Sequence, residues 1–367
     1  MATTPSNCLL QPKGKARNRC RASAARLLQE EWLDRLAFGP SRDADRLIQI
    51  WLGVFPVRWN QLPPDGSEML RGQIQAIRDH LDGTYGDLLG AMLINPAVQI
   101  SLNGPANRRQ NPNENLAREL LELFSLGEGH YREADVIAVA RVLTGYRLNR
   151  ERKLVLVPRR HHQGAVTILG RTSNYDTADL VAWLCEQPAT AATITRRLSL
   201  QLVGSLPSSA RLRDISEAWR RQGLLLPWLV RTLEQSPEAA VARERSTKLA
   251  DPISMVARSL ALLGSRHADA LRISRVHLDR MGQSPFQPPS VKGWPVNEEW
   301  INLRWLQARR RGLQALLADE EVWSTRRLPD TLGTHLTAIP PLTISLPAEP
   351  TRSNLAQLWA DPVWQLS

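Results

Sequence analysis

The chain has 367 residues, 43% of them hydrophobic, and a formal net charge of +11. That length holds one large domain or two modest ones, with ample apolar material for a core. No run of about 18 apolar residues occurs, which excludes an ordinary membrane-spanning helix. The charge implies non-specific affinity for polyanions, but no nucleic-acid recognition motif accompanies it. Only five of the 47 basic residues are lysine, an arginine bias of coding composition rather than of selection for a polyanion.

Lys13, Lys15, Arg17, Arg19, Arg21 and Arg26 precede the first acid. No apolar signal-peptide core follows them, so residues 1–22 read as a disordered basic tail, with no cleaved export signal and the cytoplasm as the default compartment. Cys8, Cys20 and Cys185 have no CxxC spacing and argue neither for disulfides nor for zinc. Cys185 sits in an apolar helical run, where a free thiol packs as a small core residue.

Helical spacing begins at residue 23 and stops at Gly39-Pro40. Ser41 is placed to cap a helix over 42–55. Further helices are predicted from residue 67 to Gly83, over 87–93 and over 96–102. Residues 154–157 and 166–169 are β-branched-rich runs that predict one small β-hairpin around a polar segment at 158–164. Helices resume near 177–186, 189–203, 208–221, 227–234, 252–263 and 267–281. Pro285, Pro288, Pro289 and Pro295 forbid regular helix there. A last helix over 297–318 leads to a Pro-rich tail, 319–367, expected to be poorly ordered. The predicted fold class is mainly α: a multi-helical single domain over 23–318, of about ten helices, with one small β-hairpin.

The most ordered stretch is 111–146, two helices joined by a tight turn. On a helical wheel Asn115, Arg118, Glu119, Glu122 and Ser125 fall within about 120° of arc, opposite Leu116, Ala117, Leu120, Leu121, Leu123 and Phe124. The second helix, over 132–144, is apolar nearly all round, which predicts burial.

Three segments carry a family resemblance. The first is Asn111-Pro112-Asn113-Glu114-Asn115 with Ala117-Arg118-Glu119-Leu120, and later Leu143-Thr144-Gly145. The second is His161 with Gly164 and Leu169-Gly170-Arg171. The third runs from Pro288-Pro289-Ser290-Val291 through Lys292-Gly293-Trp294-Pro295 to Trp300. Over most of residues 23–311 and in this order, they resemble the bacterial family named domain of unknown function 1800 (DUF1800). The resemblance implies a mainly helical domain with no established biochemical role. It also implies relatives that often look exported, and a sulfatase-like family as a candidate partner protein. The chain departs from the family where relatives tend to read Trp-His-Asn-His-Phe, because Leu52 and Val54 occupy the two histidine positions. His161-His162-Gln163-Gly164 replaces His-Asp-x-Gly, Val296-Asn297 replaces a Gly-Gly pair, and Arg132 replaces a capping Thr. These changes imply a divergent member.

Glu119 and Glu122, three apart on one helical face with Asn115 and Arg118, admit two readings: a salt-bridge network in which Arg118 pairs with Glu122, or a carboxylate pair for acid–base work or a hard cation. Asn113 and Asn115 are capping residues whose helix N-terminus can also hold an anion, with Arg108 and Arg109 close by. His161 and His162 are the candidates for proton transfer or metal binding, with Asp176 and Asp179 as partners if the hairpin folds back. Trp294 and Lys292 give the Pro-rich loop the composition of a carbohydrate or peptide surface, or of a staple for the last helix. The common hydrolase, zincin, NTPase and dinucleotide motifs are absent. The leading functional reading is a binding or accessory protein associated with cell-envelope or extracellular polymers, with an acidic polymer as ligand. The alternatives are a metal-assisted or acid–base hydrolase-like enzyme using His161 with Glu119 or Glu122, and a non-specific nucleic-acid binder acting through the basic tail. No cofactor is implied.

Overall fold

Helix α1 runs from Lys15 to Phe38, so helix replaces residues 15–22 of the expected disordered tail, whose first seven residues lie outside those described. The computed structural model describes residues 8–245, 247–337 and 339–366. Arg17 donates to the carbonyls of Leu9 and Gln11. Arg21 donates to those of Asn60 and Leu62 and lies over the Trp59 ring. These bonds engage two of the basic side chains that a tail-borne nucleic-acid site would need. Cys8 and Cys20 form a disulfide, which corrects the expectation of unpaired cysteines. A turn at one end of a helix brings the two together, and no spacing motif records it. Cys185 stays free, and burial pushes its thiol up to about 12, the mark of an unreactive core thiol.

α1 serves two hydrophobic cores. Leu28 and Trp32 pack in the first, Leu33 and Ala37 in the second. An offset of five residues turns a side chain about 140° round the axis, so one helix presents two faces. Around the first core lie α2 (Arg42–Val54), α3 (Gly66–Asp79), α4 (Tyr85–Leu93), α5 (Pro96–Ser101), α6 (Glu114–Glu122) and α7 (Glu133–Val142). They are joined there by α8 (Thr177–Glu186), α9 (Pro188–Leu202), α10 (Ser209–Arg221), α11 (Leu226–Glu234) and α12 (Pro237–Arg245). A chain of rings runs through it: Phe124 against Phe55 at 5.0 Å, Phe55 against Trp51, Trp51 against Tyr85 at 5.8 Å, and Tyr85 against Trp219. Local chemistry sets several boundaries. Thr84 and Asp87 cap each other reciprocally, which starts α4 before its apolar run. Ser41 precedes α2 as expected but makes no side-chain cap.

The second core joins α13 (Pro252–Leu263), α14 (Ala268–Arg280), α15 (Leu303–Ala318), α16 (Glu320–Ser324) and α17 (Arg352–Ala360). The Pro-rich segment expected as a loose tail closes this core. Trp359 and Trp364 are buried, and the Trp364 indole N–H donates to the Ser259 hydroxyl at 2.9 Å. Arg258 stacks over the Trp364 ring and donates to the carbonyls of Trp364 and Leu366. Composition suggests disorder here, but a few buried tryptophans outweigh it.

The mainly α fold stands, with a different hairpin arrangement. β1 (Tyr146–Leu148) pairs with β2 (Leu154–Leu156), and β3 (Val166–Ile168) pairs with β4 (Arg171–Ser173), both antiparallel. The runs at 154–157 and 166–169 therefore each find a local partner and not one another. Leu169 and Gly170, both with positive φ, make the tight turn between β3 and β4. Short loops cost the least closure entropy, which favours two local hairpins over one long one.

Replacing Trp364 with Ala is expected to lower unfolding free energy by about 3–5 kcal/mol, as for other buried tryptophans. Denaturant unfolding measures it, and a change near zero shows that this segment does not support the core. Asp361, wholly buried, tests the same segment by pH. Burial raises its pKa, but bonds from Val363, Thr343 and Leu342 outweigh this and hold it below the usual value. A depressed carboxyl stabilises above its unfolded pKa of about 3.9 and loses that contribution as pH falls through the folded value. Asp361→Asn is therefore expected to be less stable at pH 7 and to narrow its deficit at low pH, read from unfolding curves at pH 7 and pH 3.

Candidate functional site

α6 is fixed at its N-terminus by asparagines. Asn113 Oδ1 accepts from the Asn115 backbone N–H at 3.0 Å, and Asn107 Oδ1 accepts from that of Asn113. Asn115 Nδ2 donates to the Leu102 carbonyl. Asn113 thus caps the helix as expected, whereas Asn115 does not cap: its side chain ties α6 to the end of α5.

The polar stripe divides into three parts. Arg118 donates to both carboxylate oxygens of Glu133, at 2.6 and 3.1 Å, and to Glu114 at 3.2 Å. Its expected pairing with Glu122 is replaced, because the start of α7 offers a two-pronged partner across the helix pair. Ser125 leaves the stripe altogether: it is buried and donates to the Leu120 carbonyl. Glu119 and Glu122 are what remains. Tyr131 donates its hydroxyl to Glu122 at 3.0 Å, and Lys292 Nζ lies 4.0 Å from the other oxygen of Glu122. Burial raises the Glu119 carboxyl above its usual range, and the Glu122 charge adds to this against Lys292 and Arg118.

The histidines have other neighbours. His161 donates Nδ1–H to the Thr144 carbonyl at 2.9 Å, and the His162 backbone N–H donates to the Thr144 hydroxyl. Gly145, with φ +88°, leaves room for the His161 backbone, which a Cβ would meet at 2.8 Å. Burial lowers the His162 imidazole, helped by Arg141, Arg109 and His161. Asp176 and Asp179 cap α8 reciprocally and do not complete a histidine site. Among the described residues no group of three or more His, Cys, Asp or Glu side chains is placed to hold a metal ion. Leu52 and Val54 are buried in the first core.

The Pro-rich loop gives its two tryptophans different tasks. Trp300 is fully buried against Trp305 and staples α15 to the body. Trp294 is only partly buried and lies between two cavities. Arg197, from α9, fixes the loop: its guanidinium donates to the carbonyls of Leu123, Gly53 and Lys292 at 3.1, 2.9 and 3.3 Å. Gly293, with φ +90°, passes so close to α2 that a Cβ would stand 2.3 Å from the Gly53 carbonyl oxygen. Only glycine fits there.

One cavity, of about 360 Å³, is lined by Arg197, Lys292, Trp294 and Glu299 among others. The other, of about 800 Å³, includes Arg42, Arg46, Lys248 and Arg258 in its wall. Leu200, Gln201 and residues 294–296 line both. The cationic lining is the part that sequence reasoning missed. One signal pointed to it: of the chain's five lysines only Lys153, Lys248 and Lys292 lie beyond residue 15, and the last two line these cavities.

The three motif segments thus meet in space. Thr144 and Gly145 touch His161, and Glu122 faces Lys292. A family model described as "Protein of unknown function (DUF1800)" matches residues 2–361. The chain belongs to this family. No curated protein and no solved structure matches it. Membership adds no activity to the geometry, and no helix among the described residues is long and apolar enough to cross a membrane.

The coupling of the two glutamates can be read directly. In Glu122→Gln the Glu119 carboxyl is expected to titrate lower than in the parent, yet still above an ordinary glutamate because burial remains. Carbon-detected NMR of labelled glutamate checks this, and an unmoved Glu119 shows that the pair is not coupled.

Proposed function

We propose that this DUF1800 member is a binding or accessory protein for an acidic polymer, and that it engages the polymer along the loop at residues 292–296. The observation that carries this reading is the position of Trp294, in the wall between two cavities whose linings hold Arg42, Arg46, Arg197, Lys248, Arg258 and Lys292. An aromatic face suits the apolar face of a sugar ring, and the surrounding cations suit its charge. The Arg197 bonds hold the loop in one shape, so little ordering cost attends binding. The Cys8–Cys20 bridge supports an extracytoplasmic setting, since disulfides persist in oxidising compartments.

An acid–base enzyme is the second reading, favoured by one feature: the raised carboxyl of Glu119 beside Glu122 and Lys292. Calorimetry of the full chain with polygalacturonate separates the two. Binding that weakens with added salt, drops about tenfold in Trp294→Ala and releases no reducing ends is the expected result. Absent binding, or binding indifferent to Trp294, overturns the proposal. Reducing ends that disappear in Glu119→Gln establish the enzyme instead.

A further inference from the structure

Among the described residues the lining of the larger cavity holds more cationic than acidic side chains. Four cationic side chains line it, Arg42, Arg46, Lys248 and Arg258, against Asp43 and Asp251. None of the four takes part in an ion pair among the described residues. Asp251 is already occupied, accepting from the backbone N–H and the hydroxyl of Ser254 at the start of α13. Arg258 faces the chain's C-terminal carbonyls.

Lys248 is the deepest of these groups. Its ammonium donates to the carbonyls of Gln201 and Leu202, at 2.8 and 3.1 Å, where α9 ends. An ammonium has three donors, and these bonds use two. Burial pushes it down to about 8, with Arg46 adding to the shift and Asp251 and Glu234 opposing it. A desolvated cation without a counter-ion is costly, and a bound anion removes that cost. The start of α2 opens onto the same space. Ser41, Arg42, Asp43 and Ala44 line it, and Ser41 leaves the first-turn N–H groups without a side-chain cap. The start of α13 is different, because Asp251 and Gln283 already accept its N–H groups. The rest of the lining is mixed, as a sugar requires: Trp294, Pro295 and Ile50 are apolar, Gln201 brings an amide, and Gln49 brings one whose oxygen already accepts from the Trp32 indole. A volume of about 800 Å³ is far larger than a bare ion and within the range of small-molecule sites.

We propose that this cavity binds one anionic sugar unit, with its acidic group against Lys248, Arg46 and the start of α2 and its ring beside Trp294. The inference rests on the polymer-binding reading and narrows it: the cavity takes a charged unit of the polymer, while the loop surface follows the chain. A carboxylate and a phosphate ester share the required chemistry.

Calorimetry of the full chain with glucuronate, glucose 6-phosphate and glucose tests it. One or both anions are expected to bind and glucose to bind at least tenfold more weakly, and the tighter anion identifies the acidic group. Arg46→Gln, at an exposed position, is expected to weaken the anion about threefold to tenfold without disturbing the fold. In the parent, affinity falls as pH rises through about 8 and Lys248 loses its proton. In Lys248→Met that pH dependence flattens, a response that a purely structural lysine does not give. Glucose binding as tightly as the anions, no binding of either anion, or a pH profile unchanged in Lys248→Met overturns the inference. If polygalacturonate still binds through Trp294 in those cases, the broader reading survives; if it does not, both fall.

Discussion

One buried guanidinium holds the candidate site together. Arg197 reaches from α9 to three carbonyls that are far apart in sequence, at the end of α2, just after α6 and in the Pro-rich loop. Each of these carbonyls comes from a segment that ends or interrupts regular structure, where backbone acceptors lack a partner of their own. Burying a cation is costly, and desolvation lowers the Arg197 pKa accordingly. Three carbonyl acceptors offset that cost. Because the same group touches Gly53 and Lys292, the loop bearing Trp294 lies against α2 at van der Waals contact, and Gly293 is what permits it.

From that junction the polar residues of the motif divide by task. Arg118 ties α6 to α7 through Glu133, so the most acid-rich face of the helix pair is chiefly a clamp. Glu119 and Glu122 are left facing Lys292, and the histidines face Thr144 and a cluster of arginines. The charges recorded around Glu119 and around His162 have no member in common. Leu52 and Val54 fill the core. The balance of the geometry moves from α6 toward the cavities on either side of Trp294. There, an excess of cationic over acidic side chains lines the cavities that Trp294 separates.

Much of the local architecture was legible in the sequence. Helices α2 to α11 and α13 to α15 follow from apolar spacing and from caps such as Asn113, since these interactions join residues about four positions apart or fewer. Composition drew attention to Lys292 and Trp294. It misled at both ends of the chain. The basic start is held by the Arg17 and Arg21 bonds and by Cys8–Cys20, and the Pro-rich end by Trp359, Trp364 and Asp361. A few large buried side chains outweigh a polar average.

The sequence by itself determined where most helices between residues 42 and 318 lie, which of their faces are apolar, and to which family the chain belongs. Each of these depends on spacing within a few residues or on motifs kept in order. The tertiary structure alone decided which partner each polar group takes: Arg118 with Glu133 rather than Glu122, and Cys8 with Cys20. It also decided the pairing of the strands and the meeting of Arg42, Arg46, Lys248 and Arg258 around one cavity. Arg197 shows why. Its partners lie 144 and 95 positions away, and no pattern along the chain encodes a contact at that separation. Only tertiary packing brings those segments within reach of a hydrogen bond.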